Sequence, residues 1–160
     1  EYIDRLKRNP LTRALRPDKL TLAGLEATLQ LYRDEPLAVQ TIPTLRMITS
    51  PAAVVRKRAQ NLARRLQRQL TGPVKVTVRP SVNRVGGGAL PQVELPSFAL
   101  TVEHPDWPAH RLETALRQAE PPIIGRLEHN LLLLEVRTIL PEDERILLAT
   151  LSRILNSSGA

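Results

Sequence analysis

The chain has 160 residues, 42% of them hydrophobic, which is enough to bury one core and excludes wholesale disorder. It contains no cysteine, which excludes disulfide scaffolds, zinc knuckles and cysteine nucleophiles. Leucine supplies 28 residues and Phe, Trp and Tyr together four, so the core must be aliphatic and stacking platforms for nucleobases are scarce. The longest apolar run, residues 131–134, is too short for a membrane span, and residues 1–8 are too polar for a secretory signal; we therefore expect a cytoplasmic protein.

The net charge of +7 is unevenly distributed. Residues 51–70 contain six cations and no acid, whereas residues 101–160 contain six arginines and nine acids. A basic segment of this kind either contacts a polyanion such as nucleic acid or forms a solvated helix face, and the lack of interleaved aromatic residues leaves both open. The residues we single out for phosphate contact are Arg56, Lys57, Arg64, Arg65 and Arg68.

The first 49 residues read as short helical patterns interrupted by prolines. Residues 1–8 have helical spacing with no capping residue before them, which indicates a cut upstream. Asp18 predicts the N-cap of a helix that ends near Arg33 and carries an apolar stripe. The apolar stripe of this helix consists of Leu22, Leu25, Leu29 and Tyr32. The passage at residues 37–49 is predicted to be irregular.

From Ser50 onward the order is helix, strand, strand, helix, hairpin, helix, which is typical of an α+β domain whose helices cover one face of a small, mainly antiparallel sheet. Ser50 and Pro51 predict a helix start, as N-cap and first helical residue. Valines alternating with polar residues from Val74 predict a strand that Pro80 closes. Further predictions are a strand at 97–103, a helix at 112–119, a hairpin with strands at 123–127 and 131–136, and a helix from Pro141 that buries Leu147, Leu148, Leu151 and Ile154.

Few residues have the pattern of a catalytic or metal site. The three histidines lack paired ligand spacing, and no nucleophile elbow, Walker or dinucleotide motif occurs. Gly86, Gly87 and Gly88 predict either a turn with positive φ or a close approach to a phosphate. Lys19 follows the Asp18 cap in the first turn of a helix, where a solvated ammonium is expected rather than a Schiff base.

Arg13 and Arg16 stand three residues apart in a short segment bracketed by Pro10 and Pro17. The spacing favours projection from one face of a stiff turn. Because the guanidinium fork matches phosphate oxygens, two convergent forks would hold a phosphate-like dianion, although the spacing alone favours a solvated pair.

Five segments, in a fixed order, carry a resemblance to a known family: NPLTRALRPDKLTLAGLEATLQLY, IPTLRMIT, VGGGALPQVELPS, PPIIGRLE and EVRTILPEDE. Together they resemble bacterial selenocysteine synthases, the L-seryl-tRNA(Sec) selenium transferases. The resemblance implies a fold-type-I enzyme that uses pyridoxal 5′-phosphate (PLP), of which this chain would be the C-terminal third. It implies that residues 1–17 are the end of the large PLP-binding domain and that residues 18–49 are a connecting helix with its linker. Residues 50–156 would then be the small α+β domain, and residues 157–160 a loose tail.

The resemblance also implies an activity and its partners. The family converts seryl-tRNA(Sec) to selenocysteinyl-tRNA(Sec) by β-elimination and then selenium addition from selenophosphate, as a cytoplasmic homodecamer built as a ring of dimers. On this basis Arg13 and Arg16 would bind selenophosphate, and the basic helix would contact the tRNA backbone. The family's PLP lysine lies in a DKLLGGPQ-type motif upstream of NPL that this chain lacks, so the fragment alone is expected to be inactive.

Arg126 in PPIIGR is a candidate for substrate or tRNA contact. Many fold-type-I enzymes clamp an α-carboxylate with a small-domain arginine, but the carboxylate of a seryl-tRNA is esterified, so Arg126 would instead meet a tRNA phosphate or pair with Glu128 or Glu135. Two other functions are left open by the sequence: a paralogous PLP-dependent lyase acting on a free amino or sugar acid, and a basic RNA-binding module.

Overall fold

The computed structural model describes residues 1–86 and 93–157, and the chain divides into two compact units, Glu1–Arg46 and Met47–Ala160. Two of the glycines in the predicted turn, Gly87 and Gly88, and most of the predicted tail lie outside the described residues. The domain limits that the resemblance implies stay a prediction. Within the described ranges, no helix combines the length and the apolar composition needed to cross a membrane.

The first unit is built from helices, three of which begin at a residue whose side chain caps them. The Asn9 carboxamide accepts a hydrogen bond from the Leu11 amide at 3.0 Å, and the Asp18 carboxylate accepts one from the Thr21 amide at 2.9 Å. These side chains satisfy amide groups that the first turn of a helix leaves without partners. The bonds to Thr21 lower the pKa of Asp18 below its ordinary value. The helices are α1 (Tyr2–Arg8), α2 (Pro10–Ala14), α3 (Lys19–Leu31), α4 (Glu35–Thr41) and α5 (Pro43–Thr49), the last of which continues into the second unit.

The prediction of irregular chain at residues 37–49 was wrong, because α4 and α5 occupy most of it. The side chain of Asp34 caps α4 by accepting a hydrogen bond from the Leu37 amide at 3.1 Å. Pro36 then falls in the first turn and Pro43 at the start of α5, where a missing backbone N–H is tolerated. Here prolines that read as helix breakers mark helix starts.

The second unit contains a four-stranded antiparallel sheet in the order β1-β2-β4-β3. Its register aligns apolar side chains in rows across three strands: Val76, Val102 and Leu132 form one row, and the neighbouring row is formed by Val78, Leu100 and Leu134. Since alternate residues of a strand share a face, both rows lie on the same face of the sheet. The strands are β1 (Lys75–Arg84), β2 (Glu94–Glu103), β3 (Arg126–Glu128) and β4 (Leu131–Glu135).

Three helices share one aliphatic core with these rows. They are α6 (Ala52–Gln67), α7 (Ala109–Arg117) and α8 (Glu144–Asn156). An α+β unit with an antiparallel sheet and helices is therefore confirmed. The fully buried side chains of the core are nearly all leucines, contributed by every one of these helices and by the two central strands: Leu62, Leu66, Leu100, Leu112, Leu116, Leu132, Leu148, Leu151 and Leu155.

Several boundaries in this unit differ from the sequence prediction. The strand β2 begins at Glu94 rather than at residue 97, α7 spans Ala109–Arg117 rather than 112–119, and α8 begins at Glu144, after a 3-10 turn at Pro141–Asp143. The strand β1 continues through Pro80 to Arg84, because β1 is an edge strand and one of its sides needs no ladder partner. Pro51 rather than Ser50 is the N-cap of α6, and its side chain offers no capping bond. In α8 the end of the buried stripe is Leu155 and not Ile154, which is only partly buried.

The predicted hairpin is present but shorter, since residues 123–125 precede β3 rather than belong to it. Its two-residue turn is formed by His129 and Asn130, both with positive φ, at 49° and 59°. Two successive left-handed residues give the turn a twist that matches the flanking strands, and asparagine tolerates that conformation.

Arg137 is the one charged residue that the described part of this unit buries, with 5% of its surface exposed. Its guanidinium donates hydrogen bonds to the carbonyl oxygens of Met47 at 2.6 Å, Ser50 at 2.8 Å and Pro96 at 2.7 Å. Burial lowers the pKa of Arg137 from its ordinary value, although an arginine remains charged at neutral pH. The side chain thus ties the segment before α6 to β2 through backbone groups alone.

Replacing this guanidinium tests its contribution to stability. Arg137→Met keeps an unbranched apolar stem and leaves three carbonyl groups without donors, so we expect the free energy of unfolding to fall by about 3 kcal/mol. Urea denaturation followed by the fluorescence of Trp107, the only tryptophan, reports on this unit. Arg79→Met, at an exposed arginine, is the matched control, and equal stability of the two variants would contradict the assignment.

Gly125 is half-buried and packs against β4. A Cβ built on Gly125 would lie 2.5 Å from Leu132 Cδ1 and 3.2 Å from the carbonyl oxygen of Leu133, so Gly125→Ala should lower the free energy of unfolding by about 1–3 kcal/mol. Gly72→Ala in the same unit meets nothing closer than 4.0 Å and should raise it by about 0.4–1 kcal/mol. Urea denaturation measures the free energy of unfolding of both variants. A Gly125→Ala variant as stable as the parent chain would contradict the close packing.

Candidate functional site

A basic groove lies along the outer face of α6 and has a volume of about 540 Å³. Helical geometry explains it, because the apolar residues of α6 turn inward to the core while cations at helical spacing occupy the opposite side. Five cations and one carboxylate line it, which leaves a formal charge of +4. The lining residues are Val54, Lys57, Arg58, Asn61, Arg64, Arg65, Arg68 and Glu144.

Glu144, at the start of α8, neutralises part of this charge. Its two carboxylate oxygens accept hydrogen bonds from Arg58 Nε at 2.6 Å and from Arg65 Nη1 at 3.0 Å. The guanidinium of Arg58 also donates to the carbonyl oxygens of Val136 at 3.4 Å and Ile139 at 2.5 Å. Arg58 is therefore a structural cross-link between α6 and the chain that leads into α8, with Arg65 bound to the same carboxylate.

The other cations of the groove have no acidic partner among the described residues. Lys57, Arg64 and Arg68 are exposed, and none forms an ion pair there. Arg64 donates to the side-chain oxygen of Asn61, a neutral group that orients the guanidinium and leaves its charge uncompensated. Of the residues singled out in the sequence, Arg56 lies elsewhere, over the ring of Phe98 at 5.8 Å from its centroid.

Arg13 and Arg16 belong to the first unit. Arg13 lies in the last turn of α2, and Arg16 follows in the connection that ends at Pro17. Both are exposed, and within residues 1–86 and 93–157 neither has an acidic partner. The segment is held by its own contacts, because the Thr12 hydroxyl donates to the carbonyl oxygen of Leu6 at 2.6 Å. Two uncompensated guanidinium groups on a supported turn suit an oxyanion, and their selenophosphate role stays a prediction.

Arg126 in β3 is already bonded to two carboxylates. It donates to Glu128 within the hairpin and to Glu135 Oε1 at 2.9 Å, while the other oxygen of Glu135 accepts from the Ser81 hydroxyl at 2.8 Å. The bond to Glu135, with a contribution from Glu128, raises the pKa of Arg126. The structure therefore contains the ion pairs of Arg126 with Glu128 and Glu135 that the sequence suggested as one alternative. The role of Arg126 in substrate or tRNA contact stays a prediction.

The described residues offer no anchor for PLP. All four lysines, Lys7, Lys19, Lys57 and Lys75, are exposed, whereas a Schiff-base lysine needs a desolvated pocket or a neighbouring cation in a closed site. Lys19 lies in the first turn of α3, as expected from Asp18. In the part of the chain that the structure describes, no three acidic or histidine side chains converge to form a metal site.

Sequence reasoning missed the residues that organise the groove. Glu144 was not among the residues singled out in the sequence, yet it divides the basic segment into bonded and unbonded cations. Asn61 carried no signal beyond its helical position. Glu144 is 79 residues from Arg65, and no local spacing indicates such a pair.

The fold and groove define a small α+β domain with a cationic surface suited to an anionic partner. A family model for L-seryl-tRNA selenium transferase matches residues 1–140. The chain is 48% identical to the L-seryl-tRNA(Sec) selenium transferase of Desulfovibrio desulfuricans over 158 residues, which are 97% of this chain and 33% of that protein. It is 47% identical to the protein of that name from Geotalea uraniireducens over 93% of this chain and 32% of that protein, and 43% identical to the one from Moorella thermoacetica over 94% and 32%.

The chain therefore belongs to the L-seryl-tRNA selenium transferase family, and the resemblance inferred from its motifs is confirmed. It spans about a third of the length of the curated relatives that it matches.

The carboxylate of Glu144 should matter more than an ordinary surface acid. Glu144→Gln removes the negative charge between Arg58 and Arg65, and we expect the free energy of unfolding to fall by about 1–2 kcal/mol at low salt. Glu94→Gln is the matched control, since Glu94 forms a single exposed ion pair with Arg84 and should change stability by less than about 1 kcal/mol. Urea denaturation measures both variants, and a loss at Glu94 equal to that at Glu144 would contradict the bridging role.

Proposed function

We propose that this chain is the C-terminal third of a cytoplasmic PLP-dependent enzyme that converts seryl-tRNA(Sec) to selenocysteinyl-tRNA(Sec), with selenophosphate as selenium donor. The observation that carries the proposal is the match to relatives named for this activity, which covers 97% of this chain in the first case and only 33% of the relative. The α+β unit is then the small domain of a fold-type-I enzyme, and α3 is the helix that connects it to the large domain.

The proposed reaction exchanges the seryl hydroxyl for selenium while the amino acid remains esterified to tRNA. Bound PLP supplies the electron sink that such a replacement needs. Because the four lysines of this chain are all exposed, we propose that the cofactor is anchored on a lysine upstream and that the 160 residues alone are inactive. The contribution of this chain is to bind and orient anionic groups.

Arg13 and Arg16 are the residues that we propose bind selenophosphate. Their exposure and the absence of acidic partners among the described residues support this role, since an uncompensated guanidinium retains its donors for a ligand. Two guanidinium groups would neutralise the donor and orient its selenium toward the reacting carbon. Removal of this pair should therefore weaken donor binding more than binding of the tRNA.

The assembly that we propose is a homodecamer built as a ring of dimers. The exposed apolar stripe of α3 supports burial by another part of the whole enzyme, since its four members are each about half exposed in this chain. Those residues are Leu22, Leu25, Leu29 and Tyr32.

The test uses an intact enzyme that carries this chain as its C-terminal third. The double variant Arg13→Gln/Arg16→Gln removes two charged donors, and we expect the KM for selenophosphate to rise at least about tenfold per arginine, with seryl-tRNA binding retained. Selenium transfer to seryl-tRNA at varied selenophosphate measures this. The control Arg5→Gln/Arg8→Gln removes the same charge at the same spacing from exposed positions of α1 and should leave the KM near that of the parent.

Two results would overturn the proposal at different levels. An unchanged KM in Arg13→Gln/Arg16→Gln would remove these residues from the donor site. An intact enzyme that transfers no selenium to seryl-tRNA but deaminates a free amino or sugar acid would reject the function itself.

A further inference from the structure

The charges that line the groove on α6 are not equivalent. Glu144 binds Arg58 and Arg65, and Arg58 is also bound to backbone carbonyls. Lys57, Arg64 and Arg68 remain without acidic partners in the described chain and line one side of a single helix. A helix that only needed a soluble face would be expected to intersperse acids with these cations, yet α6 contains no acidic residue.

The spacing of these three cations fits an extended polyanion better than a small ion. From residue 57 to residue 68 a helix advances about 16 Å, which is several times the size of one phosphate group. A nucleic-acid duplex presents several phosphates over that length. The groove is also open along α6 rather than closed around a single point, since its lining extends from Val54 to Arg68.

The chemistry of the lining selects paired over unpaired RNA. Among the residues that the structure describes, no aromatic side chain lines the groove, so these residues offer no surface on which exposed bases could stack. Lysine and arginine side chains at helical spacing suit the phosphate backbone of a base-paired stem, which proteins recognise by shape and charge. Asn61 orients the guanidinium of Arg64 without neutralising it.

We propose that Lys57, Arg64 and Arg68 bind the phosphate backbone of a double-stranded RNA stem, independently of its sequence, while Arg58 and Arg65 are structural. The choice of RNA as the polyanion rests on the proposed function, whose substrate is a tRNA. The groove therefore contributes affinity for the body of the tRNA and no discrimination between tRNAs. Arg56, which lies over Phe98, is outside this contact.

The test is direct binding by the 160-residue chain, with no turnover involved. The probe is a fluorescein-labelled RNA hairpin with a base-paired stem, followed by fluorescence anisotropy at 50 and 200 mM salt. With a slope of about 0.9 per phosphate contact, three contacts make the affinity of the parent chain fall about 40-fold over this range. Lys57→Gln/Arg64→Gln/Arg68→Gln should bind weakly at 50 mM and lose most of that dependence. Two hairpins of unrelated stem sequence should bind the parent chain alike.

A matched control removes the same charge elsewhere in the same unit. Arg79, Arg145 and Arg153 are exposed and do not line the groove, so Arg79→Gln/Arg145→Gln/Arg153→Gln should bind like the parent chain. Equal loss in both triple variants would overturn the proposal, because it would show a response to net charge alone. So would absence of hairpin binding by the parent chain, or equal affinity for polyglutamate of the same charge.

A second measurement needs no variant and so does not depend on the folding of one. Lys57 is the only lysine among the groove residues, whereas Lys19 and Lys75 lie elsewhere. With saturating hairpin, an amine-reactive reagent read by mass spectrometry should modify Lys57 at least about fivefold more slowly, with Lys19 unchanged. Unchanged labelling of Lys57 would overturn the proposal. Failure of selenium transfer in the intact enzyme, with these binding results intact, would instead reject the proposed function and leave the groove as an RNA site.

Discussion

The buried guanidinium of Arg137 is the constraint on which the arrangement of the second unit depends. It donates to the carbonyl oxygens of Met47, Ser50 and Pro96. These bonds join the segment before α6, the strand β2 and the segment that contains Arg137, which are far apart in sequence. The described residues place no carboxylate in an ion pair with this buried cation, which is tolerated because the carbonyl dipoles replace much of its lost hydration. The start of α6 is thus held against β2, which determines where the outer face of α6 points.

On that basis one helix carries two roles. The inner side of α6 supplies leucines to a core with almost no aromatic content, and the outer side carries the groove. Arginine suits both surroundings, because its planar fork can bind a carboxylate and backbone carbonyls, as in Arg58, or remain hydrated and charged, as in Arg68. Glu144, at the start of α8, binds Arg58 and Arg65 and thereby separates them from the uncompensated cations of the groove.

The two units divide the chemistry that we propose for this part of the enzyme. The first unit holds a pair of uncompensated arginines on a proline-bounded turn, which suits a small dianion. The second unit holds an open basic groove, which suits an extended one. Neither unit offers a buried lysine in the described residues, and the relatives in the family are about three times as long as this chain.

The aliphatic core, the α+β order of elements, the family and the location of the basic segment could all be predicted from the sequence. These properties follow from composition, from side-chain periodicity and from motif order, all of which are local along the chain. The prediction for residues 37–49 was wrong, because a proline can either interrupt a helix or begin one, depending on the cap before it. Here Asp34 supplies the cap of α4. The division of the cations into structural and uncompensated ones could not be predicted, because Glu144 and Val136 lie about eighty residues from the arginines that they bind. Contacts at that separation leave no periodic pattern in the sequence.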